Sequence, residues 1–317
     1  MQKWRAVVPG SRRVRVALVS ALAAGTLASG PAVSGATSAH VVDAPTPLAS
    51  FVSKAHVAWR GVGRPVHGAR AVYVTSLRMP DGPPRVAGVA WMNTRLLAAR
   101  LYSGSLSPGG VAWHYSAPIP PSAARTLVAA FNGGFLMKDS HGGYLSEGRL
   151  VSPLRVGAAS LVIYRNGDVT VGRWGRDVRM TPDVVAVRQN LTLLVDHGRP
   201  VAGLRSNDVL AWGMSLHQVV NDWRSGLGVT ANGNLVYVVG PLNIVDLAHT
   251  LVRAGAVRAM VLDMNPLWPV FATYSPATPT GLAAPSNGTT LLASMYQTPA
   301  RFFQPSYSRD FVTMSAR

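Results

Sequence analysis

Cysteine is absent from the 317 residues, which excludes disulfide bonds, thiolate nucleophiles, cysteine-ligated zinc and iron–sulfur clusters. Lysine is nearly absent. Lys3, Lys54 and Lys138 are the only three among 30 basic residues, leaving 27 arginines, most of them isolated among apolar positions. A nucleic-acid-binding face more often shows a basic stripe or a lysine-rich run with interleaved aromatics, so no nucleic-acid partner is expected. Acidic residues number 13, and Glu147 is the single glutamate. Carboxylate chemistry therefore has to be found among a few aspartates. No His-x-x-x-His or Asp-x-Asp spacing occurs and the eight histidines are scattered, so no metal site and no cofactor are expected.

What is present is basic and apolar. The formal net charge is +17, the pI about 11.3, and 48% of residues are hydrophobic, enough for one substantial core in a single main domain. Dispersed arginine fits genome composition as readily as attraction to anionic partners such as phosphorylated glycans or an acidic cell envelope.

Arg5, Arg12, Arg13 and Arg15 precede the apolar run 16–27, and small residues follow up to Ala39. That order predicts a signal peptide over 1–39, cleaved near Ala36 or Ala39. Its apolar stretch is shorter than the roughly 20 residues of a membrane span. Export is expected through the general secretory or the twin-arginine route, to a secreted or cell-envelope location, with no stable membrane span after cleavage. The segment carries five basic residues and no acid, so the mature chain keeps a charge of +12 out of +17.

Residues 40–69 read as a linker or lead-in, and 70–317 as the main domain. Strand signals dominate it: 71–77, 86–91, 96–102, 127–131 and 191–195 carry β-branched and aromatic residues between Gly/Pro punctuation. Asn166-Gly167 and Asn232-Gly233 predict two tight hairpins. Residues 105–121 form a Pro/Gly-rich loop. Thr181-Pro182-Asp183 predicts a capped helix over 182–188. The spacing of Leu242, Val245, Ala248, Leu251 and Val252 predicts another over 241–254, stopped by Gly255 and followed by a strand over 257–262. The fold class is α+β: a strand-rich mixed sheet with hairpins and a few packed helices. Two glycosylation-type sequons begin at Asn190 and Asn287.

Three stretches concentrate polar groups at strand ends. Asn132-Gly133-Gly134-Phe135 closes the apolar run 127–131, placing an amide and two unhindered backbone positions where a polar ligand can approach, or making a simple turn. Trp223-Arg224-Ser225-Gly226-Leu227-Gly228 precedes the second hairpin. Asp263-Met264-Asn265-Pro266 ends the last apolar strand.

In this order and spacing the stretches resemble the phosphodiester glycosidase domain family, over roughly Ala71 to Tyr274. The family includes the lysosomal uncovering enzyme, which removes N-acetylglucosamine from a sugar-phosphate diester. One departure stands out: the family's usual Asp-Gly-Gly-Gly-Ser is here Asp263-Met264-Asn265-Pro266-Leu267, a bulkier and stiffer loop. The resemblance implies a hydrolase cleaving a sugar-phosphate diester at the anomeric carbon, acting on a phosphorylated or anionic glycan. The alternative is a non-catalytic binding protein for such glycans.

On that reading Arg224 takes the phosphate through its planar fork. Asp263, held at the end of an apolar strand, is the base or nucleophile, or else it bonds the amides of the following loop. Asn132 orients a sugar hydroxyl or a phosphate oxygen. Gly133, Gly134, Asn265, Asp139, His141 and Trp268 complete the expected substrate contacts. Glu147, in a hairpin turn, is expected to be solvated. Trp212 and Trp223 lie near the motifs, Trp212 more as core than as a sugar platform.

Overall fold

The computed structural model describes residues 44–110, 113–214 and 218–317; the expected signal peptide lies outside them. Residues 42–317 form one compact unit. The fold is α+β and strand-rich, with three large sheets whose ladders are antiparallel and a two-stranded ribbon of Leu48–Ala49 and His56–Val57.

The largest sheet has eight strands. From its centre, Asp222–Thr230 pairs on one side with Ala256–Asp263 and on the other with Leu235–Leu242, which continues to Val86–Met92 and Val72–Arg78. Its two faces follow the period-2 alternation of a strand. Tyr237 and Val239 enter one apolar cluster, whereas Val236 and Val238 enter another. The second cluster is covered by the helix Ile244–Arg253, which buries Ile244, Leu247, Ala248 and Leu251. The first lies between this sheet and a five-stranded one, in which Leu127–Asn132 is flanked by Phe271–Tyr274 and by the C-terminal strand Phe311–Ala316. The remaining sheet has Ala159–Tyr164 and Val184–Gln189 at its centre.

Both Asn-Gly hairpins form where the sequence places them. The helix expected over 241–254 begins later, because Pro241 and Leu242 remain in the strand and Asn243 supplies the cap, its side chain accepting from Asp246 N–H. The helix expected over 182–188 is instead the strand Val184–Gln189. The Thr181 cap signal is local, whereas Val184, Val187 and Arg188 are buried between two neighbouring strands. Packing of β-branched residues outweighs the cap there. Within the segment read as lead-in, Arg60–Val62 adds an edge strand to the large sheet.

Candidate active site

Three strands end together on one rim. Ser225 pairs with Asp263 across the central ladder, while Gly226 pairs with Val261, so Leu262 is an extra residue on its strand. Such a bulge re-aims the side chains beside it. Ser225 Oγ accepts from Asp263 N–H at 3.2 Å and from Asn132 Nδ2 at 3.1 Å. The serine thus ties the two expected site residues together across the interface between the sheets.

Asn132, 3% exposed, has no spare hydrogen-bonding capacity. Its Nδ2 donates to Gly133 O and Ser225 Oγ, and its Oδ1 accepts from Tyr237 OH at 2.7 Å and Val270 N–H at 3.1 Å. An amide offers two donors and two lone pairs, and all four are engaged inside the protein. Its position suits it to holding the rim together, with nothing left for a sugar hydroxyl.

The two glycines that follow are required for another reason than ligand approach. A Cβ at Gly133 would lie 2.0 Å from Asp310 Oδ2, and one at Gly134 would lie 2.9 Å from Arg188 Cζ. The close approach is made by a buried ion pair, Arg188 Nε to Asp310 Oδ2 at 2.8 Å.

Asp263 is 3% exposed and uses both oxygens. Oδ1 accepts from Asn265 N–H at 2.9 Å, the strand-end use of aspartate; Oδ2 accepts from Arg309 Nη2 at 2.8 Å. Burial pushes its pKa from 3.8 up to about 6, against the opposing pull of Arg309 and of the Asn265 and Met264 amides. Removal of water from a carboxylate raises its proton affinity in this way. The result is a carboxyl group that holds its proton more firmly than a solvated aspartate does.

Arg309 was not found from the sequence. It sits in Ser308-Arg309-Asp310, at the entry to the strand Phe311–Ala316, and a charged pair leading into that C-terminal strand was the available signal. Its Nη2 also donates to Gly134 O at 2.9 Å, and its guanidinium lies over the Trp268 ring at 4.6 Å. Trp268, half-buried, therefore joins the site through Arg309.

Arg224 is 1% exposed and extends into the other layer. Nε donates to Leu242 O at 2.9 Å and Nη1 lies 3.7 Å from Met264 Sδ. Leu242 and Met264 belong to the helix-covered cluster, whereas Trp268 packs against the inter-sheet cluster. Burial lowers the Arg224 pKa to about 10.

Asn265 is exposed, with its Oδ1 accepting from Leu267 N–H. Asp139 and His141 are exposed and have no contact with Asp263 or Arg309: Asp139 lies on the short helix Met137–Ser140, and His141 is its left-handed cap, its carbonyl bound by Arg155. Glu147 is not solvated. It accepts from His114 N–H and Tyr115 N–H, pinning the Pro/Gly-rich loop. Trp212 is core, with Nε1 donating to Gly203 O. Among the described residues no cluster of three or more His, Asp or Glu could hold a metal.

An open groove of about 820 Å³, lined by Thr94, Arg95, Tyr164, Asp168, Asp183 and others, lies at the Gly233 end of the same strands, away from Asp263. Its size does not place chemistry there, since the buried titratable groups lie at the other end.

Residues 125–263 match the family model described as phosphodiester glycosidase. Comparison with curated protein sequences gave no significant match. Among solved structures, the chain resembles the catalytic domain of zebrafish N-acetylglucosamine-1-phosphodiester alpha-N-acetylglucosaminidase, auto-inhibited by its pro-peptide. That likeness has 13% identity and a TM-score of 0.51, and covers 82% of this chain and 88% of that one. A hypothetical protein from Synechocystis is similar at 12% identity and a TM-score of 0.40, covering 80% and 64%. The zebrafish likeness concerns fold alone, and the resemblance to the phosphodiester glycosidase family rests on the matched segment 125–263, which contains Asn132 and Arg224 and ends on Asp263.

Proposed function

We propose that this protein hydrolyses a sugar-phosphate diester at the anomeric carbon, with Asp263 as the base or nucleophile. The observation that carries the reading is a buried carboxylate, raised to a pKa of about 6 and held by a guanidinium, at the last residue of the family-matched segment. In the reaction the bond from the anomeric carbon to the phosphate oxygen breaks. Its electron pair leaves with the phosphate monoester, and a bond forms from that carbon to water oxygen, or first to Asp263 and then to water. In the direct route Asp263 takes the water proton; in the covalent route water displaces Asp263 as a carboxylate and its proton passes to that released carboxylate or to solvent. The phosphate departs as a stabilised anion, so a strong general acid is not required. The other buried carboxylate of the rim, Asp310, is committed to Arg188.

The similar zebrafish protein is named for cleaving N-acetylglucosamine phosphodiesters, and such a diester is the first substrate to offer. The purified chain is expected to release free N-acetylglucosamine, with the rate lost in Asp263→Asn and reduced in Arg224→Ala. Binding without turnover identifies instead a non-catalytic receptor for phosphorylated glycans. The Met264-Asn265-Pro266 loop favours that second reading, because Met264 fills space beside Arg224 where the family's glycines leave backbone open. The proposal includes export of the mature domain to the envelope or medium, which N-terminal sequencing of the exported form tests.

A further inference from the structure

Among the described residues six buried side-chain polar atoms lack any hydrogen-bond partner, and three of them fall within one short segment: Arg301 Nε, Tyr307 OH and Arg309 Nε. Buried donors are nearly always paired, so three together call for an account. Two of them lie over one indole and the third lies under Arg301. Arg309 Cζ is 4.6 Å and Arg301 Cζ 5.6 Å from the Trp268 ring centroid, and Arg301 also lies 4.7 Å over the Tyr307 ring. Tyr307 is buried and close enough to Asp263, Arg301 and Arg309 for their charges to act on it.

Stacking on rings holds a guanidinium by its face and leaves its edge donors directed elsewhere, and the edge is the part that grips a tetrahedral oxyanion. Arg309 uses only Nη2 among its three nitrogens. Arg301 makes a single side-chain bond, Nη1 to Gln304 Oε1 at 3.2 Å, and has no carboxylate partner among the described residues. Arg309 thus has Asp263 for its carboxylate and Arg301 has none, and an uncompensated cation in a half-buried position is costly unless an anion joins it. An unpartnered Nε alone is not enough for the argument: Arg64 also has one, but its terminal nitrogens are spent on four main-chain carbonyls.

We propose that Arg301 and Arg309, over Trp268, together with Tyr307 beside Arg301, form the seat of the substrate's phosphate group beside Asp263. The inference deepens the hydrolase reading and rests on it for the identity of the anion, while moving the phosphate from Arg224 to a segment beyond the family-matched residues. A monoanionic phosphodiester balances the surplus guanidinium, accepts from all three idle donors, and brings its sugar-bearing oxygen next to the Asp263 carboxylate. Arg224, on the opposite layer, then serves to fix the strand end.

The test is calorimetric titration of the full chain with inorganic phosphate, alongside kinetics on an N-acetylglucosamine phosphodiester. Arg301→Gln and Tyr307→Phe are the informative variants because neither removes a contact to Asp263, and thermal unfolding verifies their fold. Charge-assisted hydrogen bonds of this kind correspond to about tenfold or more in affinity. Phosphate binding is expected to weaken about tenfold in Arg301→Gln and severalfold in Tyr307→Phe, with KM for the diester rising in step and kcat changing less. Undiminished phosphate affinity in both folded variants, or loss of it in Arg224→Gln alone, overturns the seat. A parent protein that turns over the diester with these variants unchanged in KM also overturns the seat and leaves the hydrolase reading standing. Phosphate binding that depends on Arg301 and Tyr307 in a protein that hydrolyses no diester supports the seat and removes the hydrolase reading.

Discussion

Arg309 and Asp310 are neighbours in the chain, yet each completes a buried ion pair with a different partner, and the two pairs are unequally finished. In the Arg188–Asp310 pair every guanidinium nitrogen has an acceptor: Asp310, Gln189 O and Phe135 O. Asp310 is further held by Gly134 N–H and Ser107 Oγ. In the Arg309–Asp263 pair the contact is as short, 2.8 Å, but Arg309 Nε has no acceptor and the carboxylate is pushed toward neutral pH. Burial and distance do not separate the two pairs; completeness of hydrogen bonding does, and on the proposed function that is what separates a structural pair from a reactive one. A finished pair locks three segments together, and an unfinished pair keeps binding capacity for something else.

The sharpest way to break this contrast is to remove one carboxylate from each pair. Asp310→Ala leaves Arg188 buried without its counter-charge, and loss of one partner of a buried pair costs about 3–5 kcal/mol. Chemical denaturation is expected to show that loss together with a general fall in activity. Asp263→Asn keeps an acceptor of the same shape for Arg309, so its main effect falls on rate: turnover drops by about 10²-fold or more, the range of a lost general base, without the stability loss expected of Asp310→Ala. If Asp263→Asn instead unfolds the protein while Asp310→Ala leaves it intact, the assignment of the two pairs is reversed.

The pH dependence sharpens the same comparison. The folded Asp263 pKa of about 6 lies above its ordinary 3.8, so the fold favours the protonated acid. Stability associated with this group is therefore full below about pH 4 and is lost as pH rises through 6. A shift of about two units corresponds to roughly 3 kcal/mol at most. Activity that needs the carboxylate runs the other way, rising through pH 6. Asp177 and Asp196 have pKa values lowered by their partners, Arg176 among them, and their contribution is lost only below about pH 4, outside this window. Denaturation curves between pH 4 and 7 are expected to slope downward in the parent protein, and the slope is expected to vanish in Asp263→Asn.

Much of this arrangement was legible from the residues because it depends on local pattern. Both Asn-Gly hairpins, the strands ending at Asn132 and Asp263, and the helix after Asn243 follow from alternation, turn chemistry and capping. What was not legible depends on partners remote in the chain. Gly133 and Gly134 read as open ground for a ligand, but Asp310, 177 positions beyond Gly133, occupies that ground. Arg309 is an unremarkable charge until the C-terminal strand enters the sheet beside Asn132 and brings it to Asp263. The strand Val184–Gln189 was read as a helix because its neighbours on both sides are supplied by other segments.

Asn132 offers a test of intermediate size. Replacing it with alanine strands Val270 N–H, leaves Tyr237 OH with only its longer bond to Val270 O at 3.4 Å, and removes one donor contact of Ser225. An unpaired buried group costs about 1–3 kcal/mol, so a stability loss in that range is expected, measured by denaturant midpoint at constant slope. Activity should fall through misplacement of Ser225 and Asp263, raising KM and lowering kcat together. A sugar-contacting amide would instead raise KM alone while stability held.

The smallest expected effect concerns Asp139 and His141, residues whose place in a Gly-rich loop just after the asparagine motif made them candidates for substrate contact. Both side chains are exposed, and the one bond that organises His141 runs from Arg155 to its carbonyl, which side-chain replacement preserves. Surface substitutions of this kind stay within about 0.5 kcal/mol. His141 has a φ of 47°, so asparagine, which tolerates the left-handed region, is the proper replacement and alanine is not. The double variant Asp139→Ala, His141→Asn is accordingly expected to match the parent in unfolding midpoint, phosphate affinity and diester turnover. A marked loss of turnover with stability unchanged would mean that the loop closes over the Asp263 rim when substrate binds, and the boundary between the finished and unfinished pairs would then have to be drawn to include it.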